Sequence, residues 1–155
     1  MSAELELLAE KVAHLDLTSY VQVKAGTNVR DAINQMRNAG HNCALIVADG
    51  KLTGIFTDRD VLRKVVDHPE VWRQPVDEVM TRDPRTVDDQ QPAADALKMM
   101  DDLNFRNIPV VTANGVLRGN LTHFSLIHYL ADLYPEEVYN LPPEPDQFGD
   151  TREGG

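Results

Sequence analysis

The sequence predicts an α+β protein made of two pseudo-symmetric β-α-β-β-α repeats packed sheet to sheet, with an N-terminal helix. Three observations carry that expectation. Val29, Ala32, Ile33 and Met36 are spaced for one apolar helix face, and Ala93, Ala96, Leu97 and Met100 repeat the spacing 64 positions later. Two β-branched runs, Ala44 to Ala48 and Ile108 to Thr112, each lead into a turn dipeptide, Asp49-Gly50 or Asn114-Gly115. Gly54, Thr57 and Asp60 then recur as Gly119, Thr122 and Ser125, at an offset of 65 that implies one inserted residue.

The elements follow in order. Leu5, Leu8, Val12 and Leu15 lie at helical spacing and predict an amphipathic helix over residues 1–16. The first repeat occupies 17–68, with a helix from Val29, a strand from Ala44, a return strand from Leu52 to Phe56, and a closing helix marked by Val61, Leu62, Val65 and Val66. Residues 69–78 read as a linker with a short helix, where Trp72 is a packing anchor at the seam. The second repeat, 79–138, returns through Val116 to Leu121 and closes with Leu126, Ile127, Leu130 and Ala131. Residues 139–155 carry Pro142, Pro143 and Pro145 among acids and predict an extended or disordered tail. A core built from about 60 residues is marginal alone, so the two repeats are expected to fold as a pair.

Composition narrows the function. The chain has 155 residues and a formal net charge of −10, which opposes attraction to a nucleic acid duplex or an anionic membrane. No apolar run reaches the roughly 20 residues that span a bilayer, and the acidic start, Met1 to Glu10, lacks the basic end of a secretory signal. Cys43 is the single cysteine, so neither an internal disulfide nor a cysteine-based zinc site can form, and a cytoplasmic location fits. Its apolar neighbours predict a buried, unreactive thiol. His123 and His128 sit about 140° apart on a helix and share no face, so no metal is expected. No nucleophile elbow, phosphate-cradling Walker loop or dinucleotide fingerprint is present, and no enzyme is expected.

The recurring motif carries the candidate chemistry. Thr57 ends a strand where a helix begins, so its hydroxyl and the free N–H groups of Asp58 and Arg59 can meet a phosphate. The Asp60 carboxylate can accept both hydroxyls of a ribose. The same residues can equally form an ordinary helix cap.

Through Gly54-Ile-Phe-Thr-Asp-Arg-Asp60, Val79-Met80-Thr81, Pro84-Arg85-Thr86-Val87 and Phe105-Arg106-Asn107-Ile108-Pro109-Val110, the chain from Leu17 to Leu133 resembles paired cystathionine-β-synthase-type (CBS) domains, often called a Bateman module. The resemblance implies a non-catalytic sensor that binds AMP, ADP or ATP between its repeats, with S-adenosylmethionine and NAD as second choices. It places the adenine near Gln22, Val23, Asn42 and Ala44. Thr122, Ser125, Arg106 and Thr86 form the second motif, with His41 taken as the first-repeat counterpart of Arg106. Ser125 stands where the ribose-binding acid belongs, so two unequal sites are expected, and restoring the acid should strengthen the weaker one. The resemblance further implies a homodimer through the closing helices and a regulated partner protein. The alternatives are a scaffolding dimer with a vestigial cleft and an enzyme acting on a nucleotide.

Overall fold

A computed structural model describes residues 9–133. The first repeat comprises β1 (Val21–Lys24), α1 (Val29–Ala39), β2 (Cys43–Ala48), β3 (Lys51–Thr57) and α2 (Asp58–Asp60), which runs into a π-helical turn, Val61–Val65. After two 3-10 turns, Pro69–Arg73 and Val76–Glu78, and the short strand β4 (Thr81–Arg82), the second repeat comprises β5 (Val87–Asp88), α3 (Ala93–Leu103), β6 (Asn107–Val111), β7 (Leu117–Thr122) and α4 (His123–Leu133). The strands form two sheets, ordered β1-β2-β3-β4 and β5-β6-β7. In each, the first strand is parallel to its neighbour and the next pair is an antiparallel hairpin. Lys51 and Val116, which are 65 positions apart and so equivalent, bridge the two hairpins to each other.

The helices end where left-handed backbone becomes available. Gly40 caps α1 at φ 71° and Asn104 caps α3 at φ 55°, each returning its N–H to the last turn. Val29, Ala32 and Met36 bury one face of α1; Ala93, Ala96 and Met100 do the same for α3.

Half of the N-terminal helix expected over residues 1–16 falls on residues 1–8, outside the described residues. From Lys11 onward the chain departs from a helix: Lys11 bridges to Pro92 and Val12–His14 makes a single 3-10 turn. The reason lies in what this segment packs against. Val12, Leu15 and Leu17 are buried in the core of the second repeat, beside Val87, Ala93, Ile108 and Leu121. Their counterparts Val76 and Val79 are buried in the core of the first repeat, beside Val29, Ile46 and Phe56. Trp72 packs against that same first-repeat core.

Each repeat therefore takes its leader segment from ahead of the other. The hydrogen bonds repeat the exchange at an offset of 64: Val12 N–H donates to Gln91 O at 2.9 Å and Val76 N–H to Thr27 O at 2.7 Å. Likewise, Ala93 N–H donates to Glu10 O at 2.7 Å and Val29 N–H to Gln74 O at 2.9 Å. These bonds satisfy N–H groups at the helix starts that have no partner within their own helix.

The exchanged leaders explain the motif glycines. A Cβ on Gly119 would lie 2.5 Å from both the Cβ and the carbonyl oxygen of Leu17, and one on Gly54 would lie 2.3 Å from the Met80 sulfur. Backbone cannot retreat as a flexible thioether can. Gly119→Ala is therefore expected to cost about 3 kcal/mol and Gly54→Ala about 1 kcal/mol in urea unfolding. Equal losses, or the reverse order, would mean that the first leader is not held as described.

Candidate functional site

The motif marks two helix starts, and their chemistry differs. At the start of α2, Asp60 is only 9% exposed and its Oδ2 accepts the Thr57 N–H at 3.0 Å and the Thr57 hydroxyl at 3.4 Å. Asp60 Oδ1 lies 3.2 Å from the Lys64 ammonium. The capping role weighed from the sequence is thus present, and it also orients the carboxylate. Asp58 and Arg59 are exposed beside it, but contrary to expectation neither N–H is free: that of Asp58 donates to the Asn42 carbonyl at 3.1 Å and that of Arg59 to the Asp58 carboxylate at 2.8 Å.

At the start of α4, Ser125 is buried and turned inward. Its hydroxyl donates to the Asp16 carbonyl at 2.7 Å, and its N–H donates to the Thr122 hydroxyl oxygen at 3.1 Å. With the Ser125 proton spent on Asp16, the 3.1 Å contact between the two hydroxyls is donated by Thr122. The Asp16 carboxylate in turn takes the Thr18 hydroxyl and N–H, which hold its pKa below the ordinary carboxylate value. Ser125 and Thr122 therefore lock the first leader onto α4.

Beside this second helix start lies a cavity of about 440 Å³ walled by both repeats: Ser19, Arg37, His41 and Asn42 from one side, Thr122 and Phe124 from the other. His41 and Asn42, expected from the sequence to accompany Thr57, line this cavity with Thr122. Gln22 lines a separate open cavity of about 420 Å³ with Lys24, Asp49 and Gly50. Val23 and Ala44 are in the first-repeat core, with almost no exposed side chain. Thr86 is half-buried just ahead of β5, and Arg106 is exposed with its carbonyl taking the His123 N–H at 3.4 Å.

Strand register changes one equivalence. Ala44 pairs with Phe56 and Ile108 with Leu121, so Ala44 corresponds to Ile108 and not to Pro109. Arg106 is consequently matched by Asn42, whose carbonyl takes the Asp58 N–H at 3.1 Å as Arg106 takes that of His123. His41 is matched by Phe105. The inserted residue lies in the β6–β7 turn, beyond the strand, and the expected pairing had counted it too early. Sequence reading also passed over Ser19, Arg37, Phe124 and Lys64. Only Lys64 carried a signal: its i, i+4 spacing from Asp60 on a helix.

Cys43 lies fully buried at the start of β2, where burial, with added repulsion from Asp58 and Asp60, pushes its thiol pKa up to about 12. It is not a nucleophile at neutral pH. Among the described residues no group of three or more His, Cys, Asp or Glu could hold a metal ion, and no helix is long and apolar enough to cross a membrane.

The family model of the CBS domain matches residues 12–67 and again 76–132. The chain belongs to the CBS domain family. Each match begins at a leader, at Val12 and Val76, the two residues that carry the exchange between repeats. Among curated relatives, an uncharacterized 17.7 kDa protein of Acidianus ambivalens is 30% identical over 130 residues, covering 82% of this chain and 77% of that protein. Arabinose 5-phosphate isomerase KdsD of Pseudomonas aeruginosa is 33% identical over 82% of this chain, but the match spans only 39% of the isomerase. The crystal structure of CBSX2 in complex with AMP superposes with a TM-score of 0.70 at 25% identity, covering 81% of this chain and 98% of that one.

The inward turn of Ser125 alters the expectation for the restored acid. An aspartate there would set its carboxylate oxygen against the Asp16 carbonyl, two acceptors with no proton between them. Ser125→Asp is expected to lose about 2 kcal/mol of stability in denaturant unfolding. A variant as stable as the parent would show that the leader does not depend on this bond.

Proposed function

We propose that this chain is a non-catalytic regulatory module that binds an adenine nucleotide, AMP, ADP or ATP, in a cleft between its repeats. The observation that carries the reading is the inter-repeat cavity beside the start of α4, whose size suits a small-molecule ligand. By the internal repeat, we assign the nucleotide to the equivalent surface beside the start of α2. Thr122 and Phe124 map by 65 positions onto Thr57 and Arg59, and Asn42 maps by 64 onto Arg106. That surface then combines the ribose acceptor Asp60 with the phosphate-binding candidates Thr57, Arg59 and Arg106. The acid and the cation, which looked divided between two sites in the linear sequence, fall to one. The AMP in the CBSX2 structure supports the ligand class.

The α4 cleft lacks a free ribose acceptor because Ser125 is occupied internally. One nucleotide per chain is therefore expected to bind tightly. A scaffolding protein with a vestigial cleft is the second reading, favoured by that same occupied serine.

A thermal-shift series with adenosine, AMP, ADP, ATP, S-adenosylmethionine and NAD separates the two, because a ligand of the folded state raises the melting temperature. At least one of AMP, ADP or ATP is expected to do so, and Asp60→Ala to weaken its binding by about ten- to a hundredfold in calorimetry. Removal of the cap should also cost about 1 kcal/mol of stability. No shift with any compound would leave the scaffolding reading.

The proposed assembly is a homodimer through the closing helices. Leu62 is 70% exposed and its equivalent Ile127 is 53% exposed, with Val66 and Phe124 also exposed on the same elements. Leu126 instead faces the core and Leu130 is half-buried, so the outward apolar surface is narrower than the helical spacing implied. Two equivalent residues around one pseudo-twofold suit an isologous contact. Light scattering should give twice the 17.3 kDa chain mass, and Ile127→Glu should shift it to one. A parent protein that stays at one chain mass on concentration would exclude the dimer.

A further inference from the structure

Lys64 lies outside the motif that marks the helix starts, yet it joins the first of them to the segment between repeats. Its ammonium stands 3.2 Å from Asp60 Oδ1 and donates to the Val79 carbonyl at 2.8 Å. Asp60 Oδ2 holds the Thr57 N–H, so both carboxylate oxygens already have a partner. Asp60 is nearly buried, whereas the Lys64 side chain is 41% exposed. An exposed ammonium recovers hydration when it moves away, and a buried carboxylate does not. Of the partners around Asp60, Lys64 is the one an incoming ligand can displace.

The other end of this bridge is anchored. Val79 and Met80 are buried in the first-repeat core, and Met80 fills the space above Gly54. Lys64 sits in the π-helical turn Val61–Val65, a wider turn than an α-helix provides. Its equivalent 65 positions on is Tyr129, whose hydroxyl donates to Glu10 at 3.1 Å. The same position in both repeats thus ties the closing helix to a leader. Lys64 also touches the motif acid, whereas the second repeat has Ser125 in place of that acid, with its proton given to Asp16.

We propose that Lys64 is a positioning residue that couples occupancy of the Asp60 carboxylate to the inter-repeat segment at Val79–Asp83. The coupling rests on the nucleotide reading above. A vicinal diol donating to Asp60 takes over Oδ1 and releases the ammonium, which then serves the Val79 carbonyl undivided. Ligand capture at one helix start tightens the strand that joins the repeats.

Amide hydrogen exchange tests this on the full chain. Met80 N–H donates to Val76 O at 2.9 Å and Asp83 N–H to Thr53 O at 3.2 Å, and both report on the segment; Asn120 N–H, bonded to Leu17 O at 2.9 Å, is the internal control. Without nucleotide, Lys64→Met is expected to speed exchange at Met80 and Asp83 about tenfold and leave Asn120 unchanged. Saturating AMP is expected to slow those two amides in the parent protein. In Lys64→Met it should still bind, by calorimetry, yet leave them unaltered. Lys64→Gln serves as a second variant with the same expectation if the methionine variant does not fold. A purely structural lysine would change the resting rates but keep the AMP effect, and that result overturns the coupling. Parent-like exchange in the ligand-free variant overturns the bridge itself. If AMP fails to bind the parent, the exchange comparison is made with ADP or ATP; if none of the three binds, the nucleotide reading and the coupling fall together, while the ligand-free comparison still decides whether Lys64 holds the segment.

Discussion

The structure depends on the exchange of leader segments between its two repeats. A β-α-β-β-α unit of this size leaves the first N–H groups of its helix and one side of its core uncovered, and neither cost is easily met within the unit. Here the residues ahead of each repeat are laid across the other. Val12 and Val76 fill equivalent places in opposite cores, and four backbone hydrogen bonds repeat the arrangement at a constant offset. The repeats are folded through one another, which is why the cavity between them has walls from both.

Near-symmetry then makes the differences informative. Both helix starts carry a threonine whose hydroxyl lies within hydrogen-bond range of the side chain three residues on. In the first, that residue is an acid held by an amide N–H and the Lys64 ammonium. In the second it is a serine whose proton is committed to a backbone carbonyl of the leader. The first start holds a carboxylate and the second ties the leader to α4, while the order of the first three strands is the same in both repeats.

Much of this was legible beforehand where periodicity is strong. α1, α3 and both hairpins fall where the apolar spacing and the Asp-Gly and Asn-Gly turns placed them, because a buried face and a tight turn impose local patterns. The leaders were not legible, since a bridge and a 3-10 turn have no period, and Val12 with Leu15 mimics a helical stripe. Residues 69–78 read as a linker for the same reason, although Val71, Trp72 and Val76 pack in the first core. Of the site, the acid and both threonines were readable from the motif. The partners of Ser125 and Asp60 were not: Asp16 lies 109 positions from Ser125, and Val79 reaches Asp60 only through Lys64. The place of Arg106 opposite Asn42 also required strand register, which one inserted residue had obscured.

The exchange is most directly tested by unfolding Val12→Ala in urea while following Trp72 fluorescence and far-ultraviolet circular dichroism together. Val12 is buried in the second-repeat core, whereas Trp72 packs on the first. If the leaders bind the repeats into one cooperative unit, the Trp72 midpoint falls with that of the helices in a single coincident transition, by an amount corresponding to about 2 kcal/mol. A Trp72 transition that keeps its parent midpoint while the circular dichroism splits into two steps would show that the repeats fold separately, and would contradict the exchange as the basis of the fold.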